Sequence, residues 1–125
     1  MHAPPTADLT TSNTALLTTF RRSGAPVATP VSIVADGDRA YFTTAVDSGK
    51  ARRIASNAAV TLAPCTTAGE VMGRTVAGQA RLLPGTDPVR RDLLRPTRAL
   101  FWSHLMYRLR RRPMGLYEVM LADQP

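Results

Sequence analysis

Hydroxyl and cationic side chains gather in one short stretch of the chain, between a predicted strand and a predicted helix. Ser48, Lys50, Arg52 and Arg53 lie within six residues, and Lys50 is the only lysine in the sequence. Ser48 is a favourable helix cap, so free backbone N–H groups are expected beside its hydroxyl. Helix N-termini and fixed cations both favour a negatively charged group. The stretch predicts either an anion site suited to phosphate or a solvated basic helix.

Local sequence signals define the elements on each side of this cluster. Tyr41–Thr44 is aromatic and β-branched and predicts a strand, and Ala45–Gly49 is a small polar connection. A helix is predicted from Lys50 to Asn57, because asparagine is a plausible stop residue. Val60–Leu62 then begins another strand.

The order of these residues resembles that of a known family. The stretch from 41 to 64 is YFTTAVDSGKARRIASNAAVTLAP, which is similar to the pyridoxamine-phosphate-oxidase-like split β-barrel superfamily. Within it, the sequence is most similar to the small actinobacterial branch that binds the deazaflavin coenzyme F420, over roughly residues 16 to 83. The resemblance implies a mainly β fold with flanking helices, an antiparallel split β-barrel of the FMN-binding kind. It also implies a homodimer with its site at the subunit interface.

The resemblance further implies which residues hold a cofactor. In this superfamily the strand end and the first helical turn bind the cofactor phosphate, and an earlier strand lies along the flat ring. The implied phosphate contacts are Thr43, Thr44, Ser48, Lys50 and Arg53. The implied ring contacts are Pro30, Val31 and Ser32. Flavin-binding relatives often have a basic residue between the serine and the lysine, where this chain has Gly49, and this difference weakens the case for FMN.

The activity implied by the resemblance is hydride transfer from reduced F420 to a small organic substrate. An FMN-binding oxidoreductase of the same fold and a non-catalytic protein that sequesters F420 are the alternatives. The sequence contains no HExxH, GxGxxG or P-loop motif, and it indicates no metal site and no catalytic residue. A bound cofactor would therefore carry the chemistry. Tyr107, Tyr117 or water could supply a proton, and the substrate is not indicated.

Composition sets limits on partners and location. The formal net charge is +7, which favours an anionic partner: nucleic acid, a membrane surface or an acidic small molecule. F420 fits this charge, because it carries a phosphate and a chain of glutamates. Nucleic acid is disfavoured because the strands offer few aromatic side chains for base stacking. No apolar run is long enough to span a bilayer and no signal-peptide layout is present, so a cytoplasmic protein is predicted.

The chain of 125 residues predicts one domain over residues 12–125, preceded by a flexible arm over residues 1–11. A helix is predicted from Ser12 or Asn13 to Arg22, with Leu16, Leu17 and Phe20 on its apolar face. Further strands are predicted over Pro26–Val34, Arg74–Leu83 and Leu116–Leu121, with a hairpin turn at Asp36–Asp38. Pro30 lacks an N–H group, so its strand should be an edge strand or carry a bulge. Cys65 is the only cysteine and is expected to be a buried thiol.

Two helices are predicted before the last strand, over Val89–Leu94 and Arg98–Arg111. The second is amphipathic, and Arg108–Arg112 form a basic cluster at its end. This cluster is consistent with a solvated helix end, with an electrostatic rim for an anionic cofactor tail, or with contact to a membrane or nucleic acid.

Overall fold

The computed structural model describes Leu9, residues 13–84 and residues 114–122 of the chain. Seven strands and one helix lie in these ranges. In chain order they are β1 (Thr14–Phe20), β2 (Pro26–Ser32), β3 (Val34–Asp36), β4 (Arg39–Ala45), α1 (Gly49–Ser56), β5 (Ala59–Pro64), β6 (Val76–Leu82) and β7 (Met114–Leu121).

All seven strands form one antiparallel sheet, in the order β2-β1-β5-β6-β7-β4-β3. The two outermost strands, β2 and β3, are consecutive in the chain and are separated only by Ile33. The sheet therefore curls so that its two edge strands meet end to end at Ile33, and β2 also contacts β4. The result is the antiparallel split barrel that the sequence predicted.

The barrel interior is filled by one apolar cluster, and α1 packs against it. Phe42 on β4 and Tyr117 on β7 stack there with ring centroids 5.3 Å apart. Ala51 and Ile54 are the buried residues of α1 and belong to the same cluster. Burial of this helix face leaves its first turn beside the end of β4, where the predicted anion site lies.

The helix predicted from Ser12 or Asn13 to Arg22 is wrong, because this segment is strand β1. Buried and partly exposed residues alternate along β1, with Ala15, Leu17 and Thr19 on the buried side. The segment is paired on both sides, with β2 and β5, and this pairing overrides the helical spacing of its apolar residues. Gly24, which follows this segment, has φ 91° in the turn between β1 and β2.

The other predicted strands are confirmed, with shifted ends. The predicted strand Pro26–Val34 is broken at Ile33 into β2 and β3, and Gly37 has φ 64° in the predicted hairpin turn. Pro30 lies on an edge strand, as expected, because β2 has β1 as its only neighbour in the described sheet. Gly78 in β6 lies close to another backbone, since an added Cβ would stand 2.7 Å from the carbonyl oxygen of Met120.

Several predictions concern residues outside the described ranges: the arm over residues 1–11 apart from Leu9, the helices over Val89–Leu94 and Arg98–Arg111, the Arg108–Arg112 cluster, and Tyr107. Leu9 itself is buried in the core cluster. Within the described ranges, no helix is long and apolar enough to cross a membrane.

Cys65 is a buried thiol, as predicted, and burial raises its pKa. Because the thiolate is the reactive form, the native protein should react with iodoacetamide at pH 7.5 at least tenfold more slowly than free cysteine does. Mass spectrometry of native protein and of protein unfolded in urea measures this difference. Equal labelling in both states would show that the thiol is accessible.

Candidate cofactor site

The predicted cap at the start of α1 is confirmed. Ser48 has an extended backbone, and its Oγ accepts a hydrogen bond from the Ala51 N–H at 3.1 Å. Thr44 at the end of β4 donates its hydroxyl to the same Oγ, also at 3.1 Å. At the other end, the Asn57 N–H donates to the carbonyl oxygen of Arg53 at 2.8 Å. The helix thus ends where predicted and begins one residue earlier.

Arg53 lies beside this first turn, although it is a full turn further along the helix. Its Nε donates to Thr19 Oγ1 at 2.6 Å, and the Thr19 side chain on β1 is fully buried. A Cβ added at Gly49 would stand 2.9 Å from Nη1 of Arg53. The guanidinium therefore covers the glycine at the first position of α1.

The remaining charges near this helix end are mostly cationic. Lys50 is half-buried in the first turn and makes no hydrogen bond or ion pair with the described residues. Arg52 on α1 is exposed, and so is Asp47, the acidic residue just before the cap. No acidic residue occupies the first turn of α1. The positive end of the helix and two cations thus favour an anion here.

Thr43 and Thr44 lie on opposite faces of β4, so the structure separates two residues that the sequence grouped together. Thr44 is buried on the side of Ser48, whereas Thr43 lies on the outer face, opposite Leu116 of β7. Thr43 Oγ1 is buried and has no hydrogen-bond partner among the described residues. An unpaired buried hydroxyl costs about 1–3 kcal/mol, and a ligand would reach this atom only if the groups that cover it moved.

The predicted ring contacts lie on β2 at the open edge of the sheet. The Ile33 N–H donates to the Asn13 carbonyl at 2.9 Å. This bond shows that Ile33 and Asn13 are a hydrogen-bonded pair in the ladder between β1 and β2. Because paired residues alternate in an antiparallel ladder, Val31 uses its backbone groups to pair with β1. The backbone groups of Pro30 and Ser32 point away from β1. The structure therefore leaves two of these three residues with backbone facing the open edge.

A charged cluster on the outer face was missed from the sequence. Glu118 of β7 is 2% exposed, and its Oε2 accepts hydrogen bonds from Arg39 Nη1 at 3.0 Å and from the Tyr41 hydroxyl at 3.2 Å. Its Oε1 accepts one from Arg81 Nε at 3.0 Å. The one signal in the sequence was a carboxylate within the otherwise uncharged strand LYEVML.

The cluster sets the protonation states of its members. Burial raises the pKa of Glu118, but hydrogen bonds from Arg81 and Arg39 outweigh burial and hold that pKa below its ordinary value. Burial and the Glu118 charge raise the pKa of the Tyr41 phenol. At neutral pH the carboxylate is therefore ionised and the phenol is protonated, and the three strands β4, β7 and β6 are joined by fixed polar contacts.

An apolar cleft of about 460 Å³ lies at one end of the sheet. It is bordered by the end of β1, the start of β5, the middle of β6 and the end of β7. The lining residues are Phe20, Ala59, Val60, Thr61, Ala77, Gly78, Gln79, Met120, Leu121 and Ala122. Its volume is in the range of small-molecule sites.

The sequence of the chain matches a family model over nearly its whole length. The model, described as pyridoxamine 5'-phosphate oxidase, matches residues 6–121. The chain belongs to the pyridoxamine 5'-phosphate oxidase family. No curated protein matches the sequence. Membership of this family and the observed barrel confirm the superfamily that the residues from Tyr41 to Pro64 resemble.

Solved structures share the family fold at low sequence identity. A FAD-binding protein from Mesorhizobium loti has 16% identity and a TM-score of 0.66, with 94% of this chain and 85% of that chain covered. The heme storage protein HutZ from Vibrio cholerae has 12% identity and a TM-score of 0.65, covering 90% and 83%. A Clostridium acetobutylicum protein related to general stress protein 26, of the pyridoxinephosphate oxidase family, has 14% identity and a TM-score of 0.63, covering 90% and 78%.

Proposed function

We propose that this protein is an oxidoreductase that binds coenzyme F420 and transfers a hydride from its reduced form to a small organic substrate. The observation that carries the proposal is the capped, cation-rich N-terminus of α1, which has no acidic residue in its first turn. Ser48 caps the helix there, Lys50 lies in the first turn, and the Arg53 guanidinium lies over Gly49. Each of these groups favours a phosphate.

Three further features fit a cofactor with a flat ring and a phosphate. The open edge of β2 offers the Pro30 carbonyl and both backbone groups of Ser32, which suit the polar edge of a ring. Thr43 is kept as a proposed contact because its Oγ1 has no hydrogen-bond partner among the described residues. The strand β2 contacts β4, and β4 is the strand that leads into the helix cap.

When bound, F420 would supply two-electron hydride chemistry, and the residues of this chain would hold and orient it. Lys50 and Arg53 would neutralise the phosphate, and the β2 edge would fix the ring. The Tyr117 ring lies in the core, and burial raises the pKa of its phenol, so its hydroxyl stays protonated at neutral pH. The substrate class is open, and the apolar cleft would accept an uncharged organic molecule.

The site is proposed to be completed in a homodimer located in the cytoplasm. Leu82 and Met120 are each about half exposed, and they are apolar residues that a second copy could cover. Sedimentation or light scattering at micromolar concentration measures the assembly state.

A flavin is the alternative cofactor, and one observation favours it. The Arg53 guanidinium lies beside Gly49. A cation is therefore present at this point of the first turn even though residue 49 itself is not basic. FMN would then be held by the same Ser48, Lys50 and Arg53 groups. A protein that binds F420 without catalysing a reaction would use the same contacts.

Titration of the purified protein with F420 and, separately, with FMN, followed by fluorescence, tests the cofactor. Tight binding of F420 alone supports the proposal, and reductase activity with reduced F420 then separates an enzyme from a sequestering protein. Tight binding of FMN alone would move the protein to the flavin alternative. Binding of neither would refute both.

Replacing Lys50 with alanine should weaken cofactor binding roughly 10- to 100-fold, because a charge-assisted phosphate bond contributes about 1.5–3 kcal/mol. The dissociation constant from the same titration measures the effect. Arg22→Ala is the matched control: it removes one positive charge from an exposed turn and should change the affinity less than twofold. Unchanged affinity in Lys50→Ala would exclude Lys50 from the phosphate site.

A further inference from the structure

Gly49 and Arg53 share one volume beside the first turn of α1. An added Cβ at Gly49 would stand 2.9 Å from Nη1 of Arg53 and 3.6 Å from Cζ and Nη2. Cβ atoms do not approach other heavy atoms closer than about 3.0 Å without a shift. A side chain at position 49 would therefore make the guanidinium shift, and the hydrogen bond to Thr19 would resist that shift.

Thr19 fixes the guanidinium in that volume. The 2.6 Å hydrogen bond from Arg53 Nε ends on the hydroxyl of Thr19, a fully buried side chain near the end of β1. The bond occupies only Nε, so the four N–H groups on Nη1 and Nη2 stay available to a ligand. A guanidinium held by a rigid strand loses little further conformational entropy when it binds a phosphate.

We propose that Thr19 holds the Arg53 guanidinium over the first turn of α1, where it supplies the cation that position 49 lacks. Gly49, which has no side chain, leaves room for that guanidinium. The inference rests on the proposed phosphate site and deepens it: Arg53 contacts the cofactor phosphate, Thr19 is a positioning residue, and Gly49 determines which cation reaches the ligand. Gly49 and Arg53 then form a compensating pair: the glycine, which weakened the case for FMN, leaves room for the arginine that supplies the missing cation.

The position of Arg53 can be measured without any cofactor. In ¹⁵N-labelled protein, the Arg53 Nε–H signal should exchange slowly with water, because it donates to a buried oxygen. Thr19→Val keeps the strand shape and removes the acceptor, so this signal should broaden or exchange at least tenfold faster. Gly49→Ala should shift the same signal, and Arg22→Ala should leave it unchanged. Slow exchange that persists in Thr19→Val would overturn the role of Thr19.

The experiment has a second part, the ligand arm, in which dissociation constants are measured for F420 and FMN. Arg53→Ala, Thr19→Val and Gly49→Ala should each weaken binding of the phosphorylated cofactor about tenfold, and Arg22→Ala less than twofold. The double variant Gly49→Arg/Arg53→Ala returns a cation to position 49, so its affinity should recover to within about threefold of wild type. A double variant no better than Arg53→Ala would overturn the proposal, because a merely structural arginine would not be rescued from position 49.

The two arms separate failure of this inference from failure of the proposed function. If Lys50→Ala loses affinity while Thr19→Val and Gly49→Ala keep it, the phosphate site stands and the compensating pair is refuted. If wild type binds neither cofactor, titration with inorganic phosphate replaces the ligand arm. A phosphate-induced shift of the Arg53 signal in wild type that is lost in Thr19→Val then supports the inference, and no shift in wild type overturns it.

Discussion

Replacing Phe42 with alanine should lower the free energy of unfolding by about 3–5 kcal/mol, the cost of deleting a fully buried aromatic ring. Phe42 is wholly inaccessible to solvent and stacks on Tyr117 at 5.3 Å, so its removal leaves a cavity between β4 and β7. Single domains are stable by only about 5–15 kcal/mol, so this loss is a large part of the total. Urea denaturation followed by circular dichroism measures it.

Phe20→Ala serves as the matched control, because it removes the same ring from a partly exposed position at the end of β1. We expect less than half the loss seen for Phe42→Ala. Equal losses in the two variants, or a loss below about 1 kcal/mol for Phe42→Ala, would contradict the assignment of Phe42 to the barrel core.

Replacing Glu118 with glutamine should lower the free energy of unfolding by about 2–4 kcal/mol at pH 7, because a buried carboxylate that accepts three hydrogen bonds is lost. The glutamine amide has one acceptor oxygen and places its NH₂ group against donor groups. Glu70→Gln, which changes an exposed carboxylate, should cost less than about 0.5 kcal/mol. Urea titrations of the three proteins at pH 7 test this difference.

The same comparison has a defined pH dependence. The pKa of Glu118 is lower in the folded protein than its ordinary value of 4.5, so its ionisation stabilises the fold above that value. This contribution is lost as pH falls through the folded pKa. The stability gap between wild type and Glu118→Gln should therefore be full at pH 6–7 and shrink below about pH 4.5. A gap that stays constant down to pH 3 would show that the carboxylate charge is not responsible.

Features formed by residues that are close together in the chain were predictable from the sequence. The Ser48 cap, the stop at Asn57 and the hairpin at Gly37 each result from contacts within a few residues, and all three are present in the structure. Strand β1 could not be assigned in this way. Its short apolar run suits helix or strand about equally, and pairing with β2 and β5 decides the outcome.

The contacts that were missed join residues far apart in the chain. Thr19 and Arg53 are 34 residues apart, and Glu118 is 79 residues from Arg39. They meet only because of the order and register of the strands, which local patterns do not determine. Thr43 and Thr44 are a different case: adjacent strand residues face opposite sides of the sheet, so their separation follows from the predicted strand itself.

The binding of a cofactor phosphate at the start of α1 is tested most directly by a comparison of ligands with and without that phosphate. Dissociation constants are measured for FMN against riboflavin, and for F420 against its phosphate-free deazariboflavin precursor, with wild type and Lys50→Ala. We predict that the phosphorylated member of the bound pair binds wild type at least tenfold more tightly, and that Lys50→Ala removes most of this difference. Equal affinity with and without the phosphate, or no binding of either pair, would contradict the account.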